Sequence, residues 1–594
     1  MRKEWDYSSL VSGDLDEQID IEKKVVGENV GEFVSKWKGN IGYLEDSNVL
    51  REALDDLESL FTNYGTDWNV GQYLFLAKMK NQADDNIKAK YELVGQFSEE
   101  FSNSLIFFEL SLSKISKEKQ EEFLNSKDLV EYKHYLEKLF RSGKFLLSEE
   151  VEKVLTLKNG PAYEAWVDMV SELLSKEERE VWTGESKEIK GFSEILALLS
   201  STDSKVRESC VDAFNDILKN YVDVATAQIN AILKDKKVND ELRGFSRPDE
   251  SRIVSDDIDL KFVDDLLDVV SSRYDISRRF YELKAKLFGV SKLKYEERVV
   301  PYGKISKKVD YEEGVKVVDE TFSRMDEEFG KIFRGFVEDG DIDVYPAKGK
   351  RQGAFCSWGL KIHHTRILLN YMDRINDVVT LAHEAGHGLN HELMKKQSAL
   401  DFGVPTAVAE VASNFAEGVV FENLLSKVDN DEERLALMVS KIGDDLASIF
   451  RQVACYKFER ELHDEFRLKG AVSAVRIGEI FRKNMKGYMG DAVEHPEWSK
   501  NWWVYWWHIR DYFYVYSYAS GSLIASAMIK KYKENPDFIL KVKEFLGFGE
   551  SRSPRESFES LGISLDKDFW NEGLDNVEAM LDETWRLAER LGKI

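Results

Sequence analysis

The stretch VVTLAHEAGHGLN, residues 378–390, restricts the local fold more than any other part of the chain. His383 and His387 are four residues apart. In a strand their Cα atoms would be separated by about 13 Å, but in a helix they stack one turn apart on one face. Two imidazoles that are to meet one ion therefore require a helix, and Asn376 or Asp377 is placed to cap one beginning near Val378. Glu384 lies beside the pair, where it can accept a proton from a metal-bound water. The competing reading is an ordinary polar helix face, in a chain with nine histidines in 594 residues. A third ligand decides between them, because catalytic zinc usually takes three protein ligands and leaves one position for water.

His391 is one further four-residue step along but fails on distance. Residues 383 and 391 are about 12 Å apart along a helix axis, whereas every Zn–N bond is about 2.1 Å. A histidine six residues after His387 would fall at 393, which is Leu393. The better source is the next helix, AVAEVASNFAEGVVFENLL, expected over 407–425 with Thr406 as its cap. Glu410 and Glu417 are seven apart on one face of it, in a surface otherwise built of Ala and Val, where an unpaired carboxylate is costly to bury. A metal at Glu410, with Glu417 orienting a ligand imidazole, accounts for both. Gly386 and Gly388 inside the histidine helix, each costing up to about 1 kcal/mol there, fit a close helix–helix contact.

The rest of the chain is mainly α. Apolar residues recur at three- and four-residue spacing around 30–60, 84–118, 205–233, 260–290 and 310–338. A chain of this length exceeds one simple core. Only eight prolines and no Gly/Ser-rich tract interrupt it, so its parts are expected to pack together. The exception to the helical pattern lies just upstream of the histidines. Val344-Tyr345, Ala354–Trp358 and Ile367–Tyr371 are β-prone and flanked by Gly and Pro, as in a small sheet next to the histidine helix. An exposed edge there, at Gly353 and Ala354, offers backbone hydrogen bonds to an extended peptide.

A formal net charge of −26 disfavours phosphate backbones and anionic membranes as partners. No apolar run of about 18 residues marks a membrane span, and MRKEWDYSSL lacks a signal-peptide core. Cys210, Cys356 and Cys455 are odd in number and far apart, which suits a reducing cytoplasm and argues against a thiolate metal site.

HEAGH followed by AEVASNF resembles the oligoendopeptidase F branch of the thimet-type oligopeptidases, which are gluzincin zinc metallopeptidases. AKGKRQGAF (347–355), ILLNYMDRINDVVTLAHEAGH (367–387) and FYVYSYASGS (513–522) fit that branch, and residues 121–155 resemble its N-terminal helical segment. The likeness is strongest over 345–525. One departure stands out: relatives often carry a histidine where this chain has Asn390, and its own histidine is His391. The resemblance implies a two-lobed helical fold with a deep central channel and one zinc ion per chain held by His383, His387 and Glu410. Glu384 would be the general base and short peptides the substrates. It divides the chain into an N-terminal helical region (1–115), an oligopeptidase F-type segment (116–190) and a catalytic region (191–594).

The aromatic segment NWWVYWWHIRDYFYVYSYASGS (501–522) is read in two parts. Trp502, Trp503, Trp506 and Trp507 are assigned to packing. His508 matches the histidine that family members use near the developing oxyanion, with Tyr514 and Tyr516 as the tyrosine candidates and Tyr512, in helical phase with His508, as their rival. The expected activity is zinc-dependent endopeptidase action on oligopeptides, by a monomer or a homodimer. A zinc carboxypeptidase of similar build would instead trim single C-terminal residues. A non-catalytic peptide binder would be indifferent to Glu384→Gln and to chelation.

Overall fold

The computed structural model describes residues 2–305 and 308–594, and most of them are helical. The chain folds into two compact units, each assembled from three separated stretches: Met1–Lys153, Lys307–Asn423 and Met528–Ile563 in the first, and Val154–Ser306, Leu424–Ala527 and Ser564–Ile594 in the second. Five strands occur among the described residues: β1 (Glu178–Trp182), β2 (Lys187–Gly191), β3 (Ile342–Asp343), β4 (Phe355–Ser357) and β5 (Arg366–Leu368). No described helix is long and apolar enough to cross a membrane.

In the first unit, the helices Leu15–Trp37, Ser47–Asn63 and Asp85–Leu112 bury apolar residues at helical spacing. Val26, Val30, Phe33 and Trp37 meet Leu50, Leu54, Leu57, Phe107 and Phe108 in one cluster. The expected helix over 30–60 is therefore two, broken at 38–46 where KGNIGYLED turns the chain. Trp5 ties the N-terminus to the small sheet, donating its indole N–H to the carbonyls of Asp341 and Ile367 at 3.0 Å each.

That sheet has the order β3-β5-β4, with β3 parallel and β4 antiparallel to β5. Its strands are shorter than the β-prone stretches suggest, and β4 is an edge, so the expected edge next to the histidine helix exists. Lys350, 3% exposed, folds the AKGKRQGAF loop inward by donating to the Tyr345 carbonyl at 2.7 Å and pairing with Asp343. Gly353 takes φ +81° at the end of this loop, and its carbonyl accepts from Asn370 at 2.7 Å.

The second unit is built around the 40-residue helix Ser204–Arg243, capped by Asp203 and ended by Gly244 in the left-handed region. Helices Leu260–Ser272, Asp431–Ser448, Phe450–Lys469, Ala474–Met489 and Lys567–Arg590 belong to the same unit. The aromatic segment enters it as short 3₁₀ turns, Glu497–Val504 and Trp507–Arg510. Trp502 and Trp503 are buried, and the Trp502 ring packs edge-on to Phe214, Tyr295 and Tyr505. Trp507 departs from the packing assignment: it is 46% exposed.

Candidate active site

Helix Ile375–Met394 begins three residues earlier than its sequence suggests. Asp377 does cap it, but from inside the first turn, accepting the backbone N–H groups of Arg374 at 2.9 Å and Met372 at 2.8 Å. Helix Thr406–Ser426 lies against it. Gly386 is what lets the two approach. A Cβ there would lie 2.8 Å from the Ala412 carbonyl oxygen and Ser413 Cα, and 2.9 Å from Ala416 Cβ. Gly388 serves a different neighbour, since its Cβ would meet the Phe336 ring at 2.7 Å. Both glycines thus have the packing role inferred for them.

The close approach brings His383, His387 and Glu410 together, with all three ligand atoms within 4.8 Å of one another. Glu410 Oε2 is 3.5 Å from His383 Nε2 and 3.7 Å from His387 Nε2. The edge of a zinc tetrahedron with bonds of 2.0–2.1 Å is about 3.4 Å, so this donor set fits a zinc-sized ion in both geometry and ligand type. The outer nitrogens are also engaged. His383 Nδ1 is 3.0 Å from Glu417 Oε2, and a His387 N–H donates to the Ala409 carbonyl. Such outer partners fix the tautomer and aim of a ligating imidazole. Ser413 Oγ donates to Glu410 Oε2 at 3.2 Å.

The charges follow from burial and these contacts. Burial opposes a charge on His383, but the carboxylates of Glu410 and Glu417 outweigh it and hold the imidazole well above its usual range. His387 is pushed down by burial and by its charged neighbour. Glu410 is held low by both histidines and Ser413 in spite of its burial. Glu384, 7% exposed, is raised to about 7, first by burial and then by the nearby carboxylates, and it accepts the backbone N–H of Cys356 in β4.

His391 is excluded as a ligand, as its distance predicts. It is fully buried, stacked on Trp358 at 5.4 Å and 19°, and bonded to Thr365. Asn390, where the family pattern departs, donates to the Leu546 carbonyl at 2.7 Å and fastens the helix to the C-terminal end of helix Phe538–Leu546. In a second cluster, Asp339, Asp341 and His364, the buried Asp341 is already paired with Arg366.

In the second unit, His508 Nδ1 and the Tyr514 hydroxyl are 2.5 Å apart, and the rings of His508, Tyr514 and Tyr518 form a cluster with centroids 5.7–6.0 Å apart. Burial, with Arg451 nearby, lowers His508 to about 4, so it is neutral, and burial keeps Tyr514 protonated. Tyr516 is corrected. It is fully buried and its hydroxyl donates to Asp256 at 2.7 Å, which removes it from solvent and substrate alike. Tyr512 is spent in the same way, on the Ile232 carbonyl at 2.9 Å. Tyr518, a further polar-tipped tyrosine of the same segment, takes the place beside Tyr514. The Cys356 amide, the Ala409 carbonyl and Ser413 were passed over in the sequence. Two of these are backbone groups, which side-chain chemistry in a sequence does not announce.

The sequence matches the model of peptidase family M3 over residues 197–570 and that of oligopeptidase F over residues 112–177. It is 27% identical over 544 residues to an oligoendopeptidase F homolog of Borreliella burgdorferi, covering 90% of this chain and 89% of that one. It is 26% identical over 580 residues to another of Lactococcus lactis, covering 94% of each. Its fold is similar to the crystal structure of oligoendopeptidase-F from Enterococcus faecium, with a TM-score of 0.75 and 20% identity over 97% of this chain and 100% of that one. With more than half its length matched, the chain belongs to peptidase family M3 and is a peptidase.

Proposed function

We propose that this peptidase is a zinc-dependent oligoendopeptidase that cuts internal bonds of short, unstructured peptides. The observation that carries the proposal is the convergence of His383, His387 and Glu410 with Glu384 alongside. His383, His387 and Glu410 would hold the zinc ion, which would supply Lewis-acid chemistry toward the scissile carbonyl and toward water. Glu384, poised near neutrality and oriented by the Cys356 amide, accepts a proton from the attacking water and delivers it to the leaving nitrogen. Glu417 fixes the His383 ring. His508, as a neutral imidazole, and Tyr514, as a protonated phenol, are the proposed donors to the oxyanion. Gly353 and Ala354, running into edge strand β4, are proposed to bind the backbone of an extended substrate, which makes recognition tolerant of side chains.

The names of the relatives support oligopeptides as the substrate class. The three cysteines are free thiols, which fits a reducing, cytoplasmic setting. The test is Glu384→Gln assayed on an internally quenched peptide, together with metal content. Retained zinc with turnover reduced by several orders of magnitude is expected; unchanged turnover refutes the assignment. Product masses from one defined peptide separate endopeptidase action from serial loss of C-terminal residues.

A further inference from the structure

The backbone leading into Tyr514 has a conformation that its own sequence does not favour. Tyr512 and Phe513 lie at φ +31° and +62°, two consecutive left-handed residues, both bulky aromatics and neither of them glycine. Such residues are costly and persist only where the surroundings dictate them, and they gather at functional sites. The turn they make separates His508 from Tyr514, so it decides whether those two side chains can meet.

The surroundings are specific. Arg252 donates Nε to the Tyr512 carbonyl at 3.0 Å and Nη2 to the Asp511 carbonyl at 3.1 Å. Glu459 accepts the Phe513 N–H at 3.0 Å. Just upstream, buried Arg510 gives its guanidinium to the Val504 and Trp506 carbonyls at 2.8 and 2.7 Å. Helix Phe450–Lys469 presents one stripe to the whole segment, at four-residue intervals. Arg451 lies beside His508, Cys455 beside Tyr514, Glu459 bonds Phe513, and His463 packs on the Phe513 ring at 4.8 Å.

Glu459 is the costly member of that stripe. It is fully buried, and its second carboxyl oxygen has no hydrogen-bond partner among the described residues. For packing alone a leucine would serve better, since a buried polar group loses its water. What the carboxyl does supply is an acceptor for a core-facing amide that helix and strand ladders leave unpaired.

We propose that Glu459, seconded by Arg252, is a positioning residue for peptide hydrolysis: it holds the left-handed Tyr512–Phe513 turn, and through it the His508–Tyr514 hydrogen bond. The proposal rests on the reading of His508 and Tyr514 as oxyanion donors.

A double-mutant cycle on the zinc-loaded full chain tests it, using an internally quenched peptide and reading kcat and KM separately. Glu459→Gln keeps an oxygen for the Phe513 amide and is expected to stay close to wild-type kcat. Glu459→Leu is expected to lower kcat by about 10–100-fold with KM little changed, as misplacement of a catalytic group does. Tyr514→Phe alone is expected to lower kcat by about 100-fold, and in the Glu459→Leu background to add almost nothing. Losses that multiply in the double variant, or wild-type kcat in Glu459→Leu, overturn the proposal. Wild-type kcat in both Tyr514→Phe and His508→Gln would instead overturn the oxyanion reading on which it rests. If Glu459→Leu does not fold, Arg252→Met, which removes two donors from a side chain that still reaches solvent, takes its place in the cycle with the same expected outcomes.

Discussion

Gly386→Ala probes what sets the spacing of the metal ligands. In an isolated helix the change is favourable by about 1 kcal/mol. Here the new methyl would lie 2.8 Å from the Ala412 oxygen and Ser413 Cα, where about 3.5 Å or more is comfortable. Both contacts are with main-chain atoms, so no side-chain rotation relieves them, and helix Thr406–Ser426 must retreat by about 0.7–1 Å. Overpacking of this kind costs about 1–3 kcal/mol and offsets the helix gain, leaving a net loss of up to about 2 kcal/mol. The functional effect is larger. Glu410 lies two and three residues from the strained contacts and moves with them, so separations of 3.5 and 3.7 Å from the histidines, already slightly wider than the edge of a zinc tetrahedron, open further. Displacement by about 1 Å costs on the order of 100-fold in turnover. The assay is zinc affinity by chelator competition, with kcat and Tm measured alongside. Gly388→Ala is the control: its methyl strikes Phe336, on the other side of the histidine helix from Glu410, and it should lower Tm while leaving zinc affinity intact. Equal zinc affinities in the two variants, with only Tm reduced, would refute the claim that Gly386 sets the ligand spacing.

Glu410→Gln should weaken zinc retention more than Glu417→Gln, whose carboxylate meets the outer nitrogen of His383 and whose loss should cost about 10–100-fold; the reverse order in a competition titration would exchange their roles. Tyr516→Phe should lower stability by about 1–2 kcal/mol through the lost bond to buried Asp256 and leave kcat intact, whereas a loss of kcat without a loss of stability would return Tyr516 to the site. Burial raises Glu459 to about 8 from an ordinary 4.5, so the folded chain keeps a proton that the unfolded chain has released. Stability is therefore lost as pH rises from about 4.5 through about 8, by at most about 5 kcal/mol over the whole window, and Glu459→Gln should flatten that slope in thermal melts at pH 6 and 8.5.

The parts of the site legible in the sequence are those encoded by spacing within one helix. His383 and His387 had to share a face, His391 had to fall outside it, and Glu410 and Glu417 had to lie on one stripe. The small sheet was legible from composition, though its strands are two or three residues long, because pairing ends where the loops at Gly353 and Trp358 turn away. Tyr516 was misjudged because the family likeness covers the whole segment without saying which of its tyrosines faces the core. Burial against Asp256 decided that. Neither periodicity nor propensity foretells the left-handed Tyr512–Phe513 turn, since two aromatics there contradict every local preference and are held by Arg252 and Glu459 from about 260 and 54 residues away.

Spacing between the two ligand helices is only half of what places Glu410; its height along the helix axis must be set as well. The connection from Met394 to Thr406 carries no ligand, yet it is fastened at several points. Gln397 accepts from Lys361 and donates to the Gly547 carbonyl, both at 2.5 Å. The Ala399 amide is held by Glu58 at 3.2 Å, and the Asp401 carbonyl accepts the Glu550 amide at 2.8 Å. A free linker of this length would let the second helix slide, and a slide of one residue moves a carboxylate by about 1.5 Å and turns it by about 100°. The close contact at Gly386 fixes the distance between the helices, and the pinned connection fixes the register. With both in force, the HEAGH motif and a glutamate 23 residues after His387 become a single site, so Gln397→Ala, far from any ligand, should weaken zinc binding through register alone, and Glu58, an N-terminal residue that the motif never mentions, should do so less.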